Sequence, residues 1–447
     1  MRSYFAAALA VALGAPLAAV ADTAADINAL RQEIEAIRGA YEQRLQALEQ
    51  RLKAAEAQAP ALAAASTPAL SANAPVSAGA NAFNPAISLI LTGTYGRTSR
   101  DPATYAVPGF ALPAGGDAGP VGRGFSLAES ELTLAASIDP WLRGQASIAL
   151  HPDNTVSVEE AYVQTTSLGN GLSLKAGRFF SGIGYLNEQH SHTWDFADNP
   201  LAYQVFLGTQ FADDGLQLRW LAPTDLFLEA GAEIGRGRGF PGSDTSRNAA
   251  GATALFAHAG GDIGASQSWR AGLSMLNAKA TDQGLQASGA LGGSVARSFS
   301  GRTRVLVADA VWKWAPNGNA TRTNFKVQGE YLRSTRVGNS VVGAADPAAE
   351  HGAQSGWYLQ GVYQFMPRWR VGARTERLDS GSVTDPDLLS SAVYRPRKES
   401  LMLDYNPSEF SRVRLQLARD RSRIGAPDNQ LLLQYQMSLG AHGAHGF

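Results

Sequence analysis

The chain has 447 residues, 45% of them hydrophobic, with no cysteine and a formal net charge of -1. The lack of cysteine excludes disulfide frameworks, thiol catalysis and thiolate metal sites, and the near-zero net charge argues against a nucleic-acid partner. The only long apolar segment is N-terminal, so the rest of the sequence predicts no transmembrane helix.

Residues 1–21 are typical of a secretory signal peptide. Arg2 precedes the apolar segment from Phe5 to Val20, and Ala19-Val20-Ala21 has the small-x-small pattern of a cleavage site. We therefore expect the mature chain to begin at Asp22 and to leave the cytoplasm.

Residues 22–59 predict an α-helical coiled coil. Apolar side chains recur every three or four residues from Ile27 to Ala55. A lone helix of this polarity has nothing to cover its apolar stripe, so we expect it to pair with copies of itself, most simply in a homotrimer. The alternative is a monomeric helix that is solvated or lies on the rest of the protein. Residues 60–83, rich in Ala, Pro and Ser, predict a flexible linker.

Residues 84–447 predict an all-β transmembrane antiparallel β-barrel of the porin-like kind. Stretches of about ten residues alternate apolar and polar side chains, and they are joined alternately by tight turns and long polar loops. Near the end, for example, Leu431, Leu433 and Tyr435 share one face and Gln434 and Gln436 the other. Counting hairpins gives about 16 strands, and a barrel of that size encloses an aqueous channel. The predicted strands lie near 86–96, 124–138, 142–150, 156–166, 172–180, 216–222, 226–235, 252–263, 268–277, 304–315, 324–333, 354–366, 369–377, 399–406, 411–421 and 429–439.

The strand alternation also predicts which charged side chains face the lumen. At Glu159-Glu160, adjacent positions should point to opposite faces, and the parity of the strand places Glu160 inside. Both signs of charge occur on the predicted inner face. This indicates a water-filled lumen but does not identify which ion passes through it. The predicted luminal residues are Glu129, Glu131, Glu160, Arg370, Arg374, Arg412 and Arg414.

The long segment 181–215, which we call the third loop, has an unusual composition. It contains apolar residues such as Trp194 and Phe206 that a loop in solvent would not need. We therefore expect it to fold inward and to form the pore constriction. Its polar edge would consist of Glu188, His190, His192 and Asp195.

His190 and His192, with carboxylates on either side, could bind zinc or nickel. The alternative is a polar loop that carries two histidines by chance, and no other cofactor is indicated. The sequence contains no Ser/His/Asp set and no glycine motif that would hold a phosphate, so we expect no enzymatic activity.

Several segments resemble a known group of proteins. Gly124 to Gly144, Val158 to Thr165, Leu174 to Leu201 and Gln434 to Phe447 are similar to proteobacterial outer-membrane proteins labelled zinc-regulated or TonB-dependent receptor-like, themselves distantly similar to the phosphate-selective porin superfamily. The resemblance implies a barrel in the outer membrane of a Gram-negative bacterium, in contact with lipid and connected with metal supply. The aromatic C-terminal residue also resembles the signal that the barrel-assembly machinery reads. TonB-dependent receptors, however, carry a folded plug before a 22-stranded barrel, and this sequence has only a coiled coil and a linker there.

Three functions are compatible with these features. The leading hypothesis is an outer-membrane porin for small hydrophilic solutes or ions. The second is an outer-membrane zinc uptake channel or receptor-like protein. The third is a structural protein whose periplasmic coiled coil tethers the outer membrane to peptidoglycan.

Overall fold

The fold is a closed antiparallel β-barrel. The computed structural model describes residues 85–115, 118–166, 168–246, 248–288, 294–343, 345–384 and 394–440. The predicted signal peptide, coiled coil and linker lie outside the described residues, as does the C-terminal segment that ends at Phe447.

Sixteen strands form the barrel wall, which confirms the predicted architecture and count. Each strand pairs with its neighbours in chain order, and the first pairs with the last from Ser88↔Gly440 to Thr98↔Gln430, which closes the barrel. A further short strand, Ala111–Pro113, lies in the segment 99–123 between the first two barrel strands, which we call the first outer loop. The barrel strands are β1 (Ala86–Thr98), β2 (Gly124–Leu127 and Ser130–Ser137), β3 (Leu142–Leu150), β4 (Val156–Thr165), β5 (Leu172–Phe180), β6 (Ala212–Leu221), β7 (Phe227–Gly235), β8 (Ala252–Ile263), β9 (Gln267–Ser288), β10 (Ser294–Trp314), β11 (Asn324–Val342), β12 (Ala348–Met366), β13 (Trp369–Thr384), β14 (Arg397–Ser408), β15 (Ser411–Arg421) and β16 (Asp428–Gly440).

Alternate side chains along the strands lie on opposite faces of the wall. In β15, Arg414 and Gln416 are buried toward the interior, whereas Leu415 and Leu417 are exposed on the outside. Leu433 of β16 is exposed on the same outer face. A continuous exposed surface of large apolar side chains is stable in lipid and not in water, so the strands cross a membrane.

Strands β9 to β13 extend well beyond the predicted lengths. β9 alone has 22 residues, whereas about 9–11 residues cross the hydrocarbon layer. Its partner β10 begins at Ser294, so most of the predicted loop 278–303 is a paired hairpin. The composition there is rich in Gly, Ser and Ala, but Leu285 and Phe299 continue the alternation and are buried inward. The same difference applies to the predicted loops 334–353 and 378–398, into which β11, β12 and β13 extend.

Helix α1 (Leu201–Leu207) lies in the third loop, and all of its residues are buried. It begins after Pro200 and ends at Gly208, whose φ of 65° is the left-handed conformation that commonly terminates a helix. No helix in the described part of the chain is long and apolar enough to cross a membrane.

Candidate functional site

The third loop leaves β5 and crosses the inside of the barrel before β6 begins at Ala212. Carboxylates on the opposite wall bind its backbone. The amides of Tyr185 and Leu186 donate to Glu330 of β11 at 3.2 and 2.9 Å. The amide of Leu201 donates to Glu376 of β13 at 2.6 Å. The third loop therefore lies inside the barrel, against strands that are distant from it in sequence.

One part of the inner wall is apolar where the third loop packs against it. Leu276, Val305 and Leu332, on β9, β10 and β11, are fully buried in one cluster with Leu201 and Phe206 of the third loop. The first outer loop adds Val107, Phe110 and Leu112 to the same cluster. The sequence predicted a charged lumen, and the structure shows that this part of it is instead an apolar contact between loop and wall.

Two carboxylates of the third loop bind basic side chains of the opposite wall. Asp195 contacts Lys326 and lies 3.2 Å from Arg370. Burial favours a raised pKa for Asp195, but the Lys326 ammonium and the Arg370 guanidinium outweigh burial and hold the pKa below its usual range. The corresponding partners of Asp198 are Arg374, at 2.7 Å, and Lys398.

The other two predicted luminal arginines also bind the third loop. Arg412 donates to the carbonyl oxygen of His192 at 2.9 Å, and Arg414 donates to that of Trp194 at 3.0 Å. Arg414 also pairs with Asp404 of β14 at 2.8 Å. The four predicted arginines thus face the interior, and each contacts the third loop.

Glu188 contacts a different part of the barrel wall from His190 and His192. It forms an ion pair with Arg219 of β6, whose guanidinium is also 3.4 Å from Glu229 of β7. Burial favours a raised pKa for Glu188, but the charges of Arg219 and Lys175 outweigh burial and lower the pKa. Its contacts therefore attach the start of the third loop to the adjacent wall.

Two histidines and three glutamates form what we call the His–Glu cluster: Glu131, Glu159, Glu160, His190 and His192. An Oε2 atom of Glu131 lies 3.0 Å from the Nδ1 atoms of both histidines. The Nδ1 atom of His190 is also 3.3 Å from Glu159, and its Nε2 atom is 3.0 Å from Glu160. In the part of the chain that the structure describes, these three carboxylates form no ion pair with arginine or lysine.

Glu159 faces the interior, so the prediction that only Glu160 does so is wrong. The pairing of β3 with β4 shifts here: Ser147 opposes Glu160 and Ile148 opposes Val158, which leaves Glu159 as an extra residue. Such a β-bulge interrupts the alternation and can turn two successive side chains to one face. No Gly or Pro marks the bulge in the sequence.

A cavity of about 610 Å³ lies beside the His–Glu cluster. Glu129, Glu159 and His192 form part of its lining. Glu129 accepts a hydrogen bond from the hydroxyl of Ser191 in the third loop at 2.6 Å. The cavity is bounded by the third loop, by the wall around β1, β2, β4 and β5, and by the first outer loop, which contributes residues 118–122.

The His–Glu cluster has the donor atoms of a divalent-metal site. Burial favours a lowered pKa for His190, but its hydrogen bonds to the three carboxylates raise the pKa well above the usual range, so a metal that binds His190 must displace a proton from it. The donor atoms of Glu131, His190 and His192 all lie within 4.8 Å of one another. Tetrahedral zinc, with bonds of about 2.0–2.2 Å, places its ligands about 3.3–3.6 Å apart, so small shifts would suffice.

Comparison with known proteins identifies a relative by sequence. No family model matches the chain. A protein of Aquifex aeolicus (strain VF5), described as uncharacterized, is 32% identical over 401 residues, which cover 82% of this chain and 80% of that protein. This chain belongs to the same protein family as the Aquifex protein. That description names no metal, so the zinc-regulated label implied by the resemblance has no support here.

Solved structures show a similar fold. OmpTdeltaL8, a loop L8 deletion mutant of the outer membrane protein OmpT of Vibrio cholerae, matches with a TM-score of 0.50 and 11% identity, covering 79% of this chain and 99% of that one. OprB of Pseudomonas putida matches with a TM-score of 0.47 and 14% identity, covering 80% and 94%. The OmpT similarity shows that the fold is that of an outer-membrane protein, as the sequence predicted.

Proposed function

We propose that this protein is an outer-membrane porin with a water-filled channel for small hydrophilic solutes or ions, in which the third loop forms the constriction. The position of the third loop carries the proposal. It is bound to β11, β13 and β15 by buried hydrogen bonds and ion pairs, and a cavity lined in part by Glu129, Glu159 and His192 remains on its other side. The exposed apolar outer wall and the OmpT-like fold support the outer-membrane location.

Single-channel recording in planar bilayers tests this proposal. The wild-type chain should conduct, and Glu129→Gln/Glu159→Gln should shift the reversal potential in asymmetric salt toward anions because negative charge is removed from the lumen. Asp153→Asn is the matched control, since its side chain is exposed in the turn between β3 and β4. A wild-type protein without conductance, or a double variant that behaves like the control, would overturn the proposal.

A deletion addresses the constriction itself. Removing residues 200–209 takes away helix α1 and its packing against the wall. We expect the single-channel conductance to rise, because the lumen loses the segment that occupies it. Unchanged conductance in a correctly folded deletion would remove the constriction from the proposal.

We also propose, as a second candidate function, that the His–Glu cluster binds a divalent cation on the solute path, as a metal channel requires. The supporting observation is three carboxylates around two imidazoles, with no arginine or lysine ion pair to them among the described residues. Titration calorimetry with zinc should show binding that His190→Ala/His192→Ala abolishes and the exposed control His351→Ala retains. Equal heats for all three proteins would exclude this function.

We further propose that the full chain is a homotrimer, on the basis of the apolar stripe from Ile27 to Ala55. Chemical crosslinking of the full chain should give trimers that are lost when Ile27 to Leu52 is deleted. If that deletion instead abolishes crosslinking to peptidoglycan in whole cells, the tether function is favoured.

A further inference from the structure

Three arginines stand side by side on the outer wall, at the end of the strands that leads to the outer loops. They are Arg377 of β13, Arg397 of β14 and Arg421 of β15. In the strand register, Arg377 is directly opposite Arg397, and Arg397 is directly opposite Arg421. Directly opposite side chains are about 4.5–5.5 Å apart at Cβ, and like charges at such positions destabilise a sheet. The row of like charges therefore favours an anionic partner.

The nearby carboxylates leave the row positively charged. Glu399 lies 3.9 Å from Arg397, but it is also directly opposite Arg419. Asp379 lies 3.5 Å from Arg395, an additional basic side chain beside the row. All of these side chains are substantially exposed, so the contacts among them are weak.

The row lies at the outer edge of the apolar surface. Toward the periplasmic end, the outer wall carries exposed Leu401 and Leu417, which are directly opposite each other. From the aromatic side chain of Tyr405 to Arg397, β14 rises about 27 Å along the strand. At a tilt of about 40° this is roughly 20 Å along the membrane normal, close to the apolar band of about 25 Å. The guanidinium groups are therefore at the level of the lipid headgroups.

The same row continues into aromatic side chains. Trp357 of β12 is directly opposite Arg377, and Tyr331 of β11 is directly opposite Trp357. Trp and Tyr at such positions are typical of the membrane interface. A cleft of about 840 Å³ extends over the row and is lined by the arginines, Trp357 and Tyr331.

We propose that this cleft binds the phosphate groups of a phosphorylated glycolipid in the outer leaflet. Guanidinium groups bind phosphate oxygens through paired hydrogen bonds, which are among the stronger contacts in proteins. A phosphate would neutralise the row of like charges, and the aromatic side chains would contact the lipid beside it. The proposal rests on the outer-membrane location in the proposed function, but it does not depend on the channel.

Binding of lipid A to the full-length protein in nanodiscs tests the proposal. Arg377→Gln/Arg397→Gln/Arg421→Gln removes the row, and we expect binding to fall on the order of tenfold or more. The control Arg143→Gln/Arg322→Gln/Arg368→Gln removes the same charge from exposed arginines at the periplasmic end, and it should bind as the wild type does. Dephosphorylated lipid A should bind the wild type as weakly as lipid A binds the row variant.

Two results would overturn the proposal. One is equal lipid A binding by the row variant and the control, and the other is undiminished binding of the dephosphorylated lipid to the wild type. Bilayer conductance of the row variant separates this proposal from the channel. A row variant that conducts normally but has lost lipid binding supports both proposals, whereas absent conductance in every protein refutes only the channel.

Discussion

Glu330 allows a quantitative test of how the third loop is held. Its carboxylate accepts hydrogen bonds from the amides of Tyr185 and Leu186, at 3.2 and 2.9 Å, and from the hydroxyls of Tyr203 and Tyr358, at 2.8 and 2.7 Å. Three of these four donors belong to the third loop. A hydrogen bond contributes about 0.5–1.5 kcal/mol, so the three bonds to the third loop that Glu330→Ala removes contribute on the order of 1.5–4.5 kcal/mol. A net loss of only about 1.4 kcal/mol would raise the detached fraction of the loop tenfold.

We expect Glu330→Ala to show a larger and more variable single-channel conductance than the wild type. Two milder variants serve as matched controls, because Tyr203→Phe removes a donor on the loop and Tyr358→Phe removes one on the wall. Tyr203→Phe should therefore give the larger of the two effects. The reasoning is refuted if Glu330→Ala forms a folded barrel with wild-type conductance, or if Tyr358→Phe has the larger effect.

Three further predictions concern the interior. The pKa values of Asp195 and Asp198 are lowered in the folded state, so their contribution to stability is complete above the unfolded value of about 4 and is lost only as the pH falls through the lower folded values. These two carboxyls should therefore contribute no change in conductance between pH 7 and about 5, and a transition in that interval that disappears in Asp195→Asn would contradict this. Gly184→Ala should lower the melting temperature more than Gly264→Ala does, because both residues have positive φ but only at Gly184 would a Cβ meet neighbouring side chains. Glu159→Lys should shift the reversal potential toward anions at unchanged thermal stability, whereas a destabilised barrel with an unchanged reversal potential would place Glu159 against lipid.

The barrel could be predicted from the sequence because its determinants are local and repeated. Side chains such as Leu415 and Leu417 alternate with Arg414 and Gln416, and one face must be apolar when lipid surrounds it. Turn residues mark the periplasmic ends of the strands. The number of strands could therefore be predicted without knowing the length of each strand. The length of β9 was underestimated for the same reason. The part of a strand that extends beyond the membrane needs no apolar outer face, so it lacks the alternation on which the prediction depended.

The interior could be predicted only in part. The apolar residues of the third loop predicted its inward position, since side chains such as Trp194 need a partner. The partner surface was also visible in β10, where Val305, Leu306 and Val307 are apolar on both faces of the strand, as in a strand buried on two sides. The bulge at Glu159 had no such signal. Its position depends on pairing between strands, and alternation in a single strand contains no information about it.

The contacts of the charged side chains indicate which of them a solute would meet. The arginines of β13 and β15 bind the third loop, and Arg178, at the edge of the cavity, pairs with Asp214 at 2.6 Å. Positive charge in the interior is therefore largely neutralised by the contacts that position the loop. Glu129 and Glu159 line the cavity without an arginine or lysine ion pair in the described part of the chain. The ion-pair contacts of these two carboxylates are with histidines. In the proposed channel we therefore expect Glu129 and Glu159 to influence ion selectivity more than the arginines, whose charge is already neutralised by the third loop.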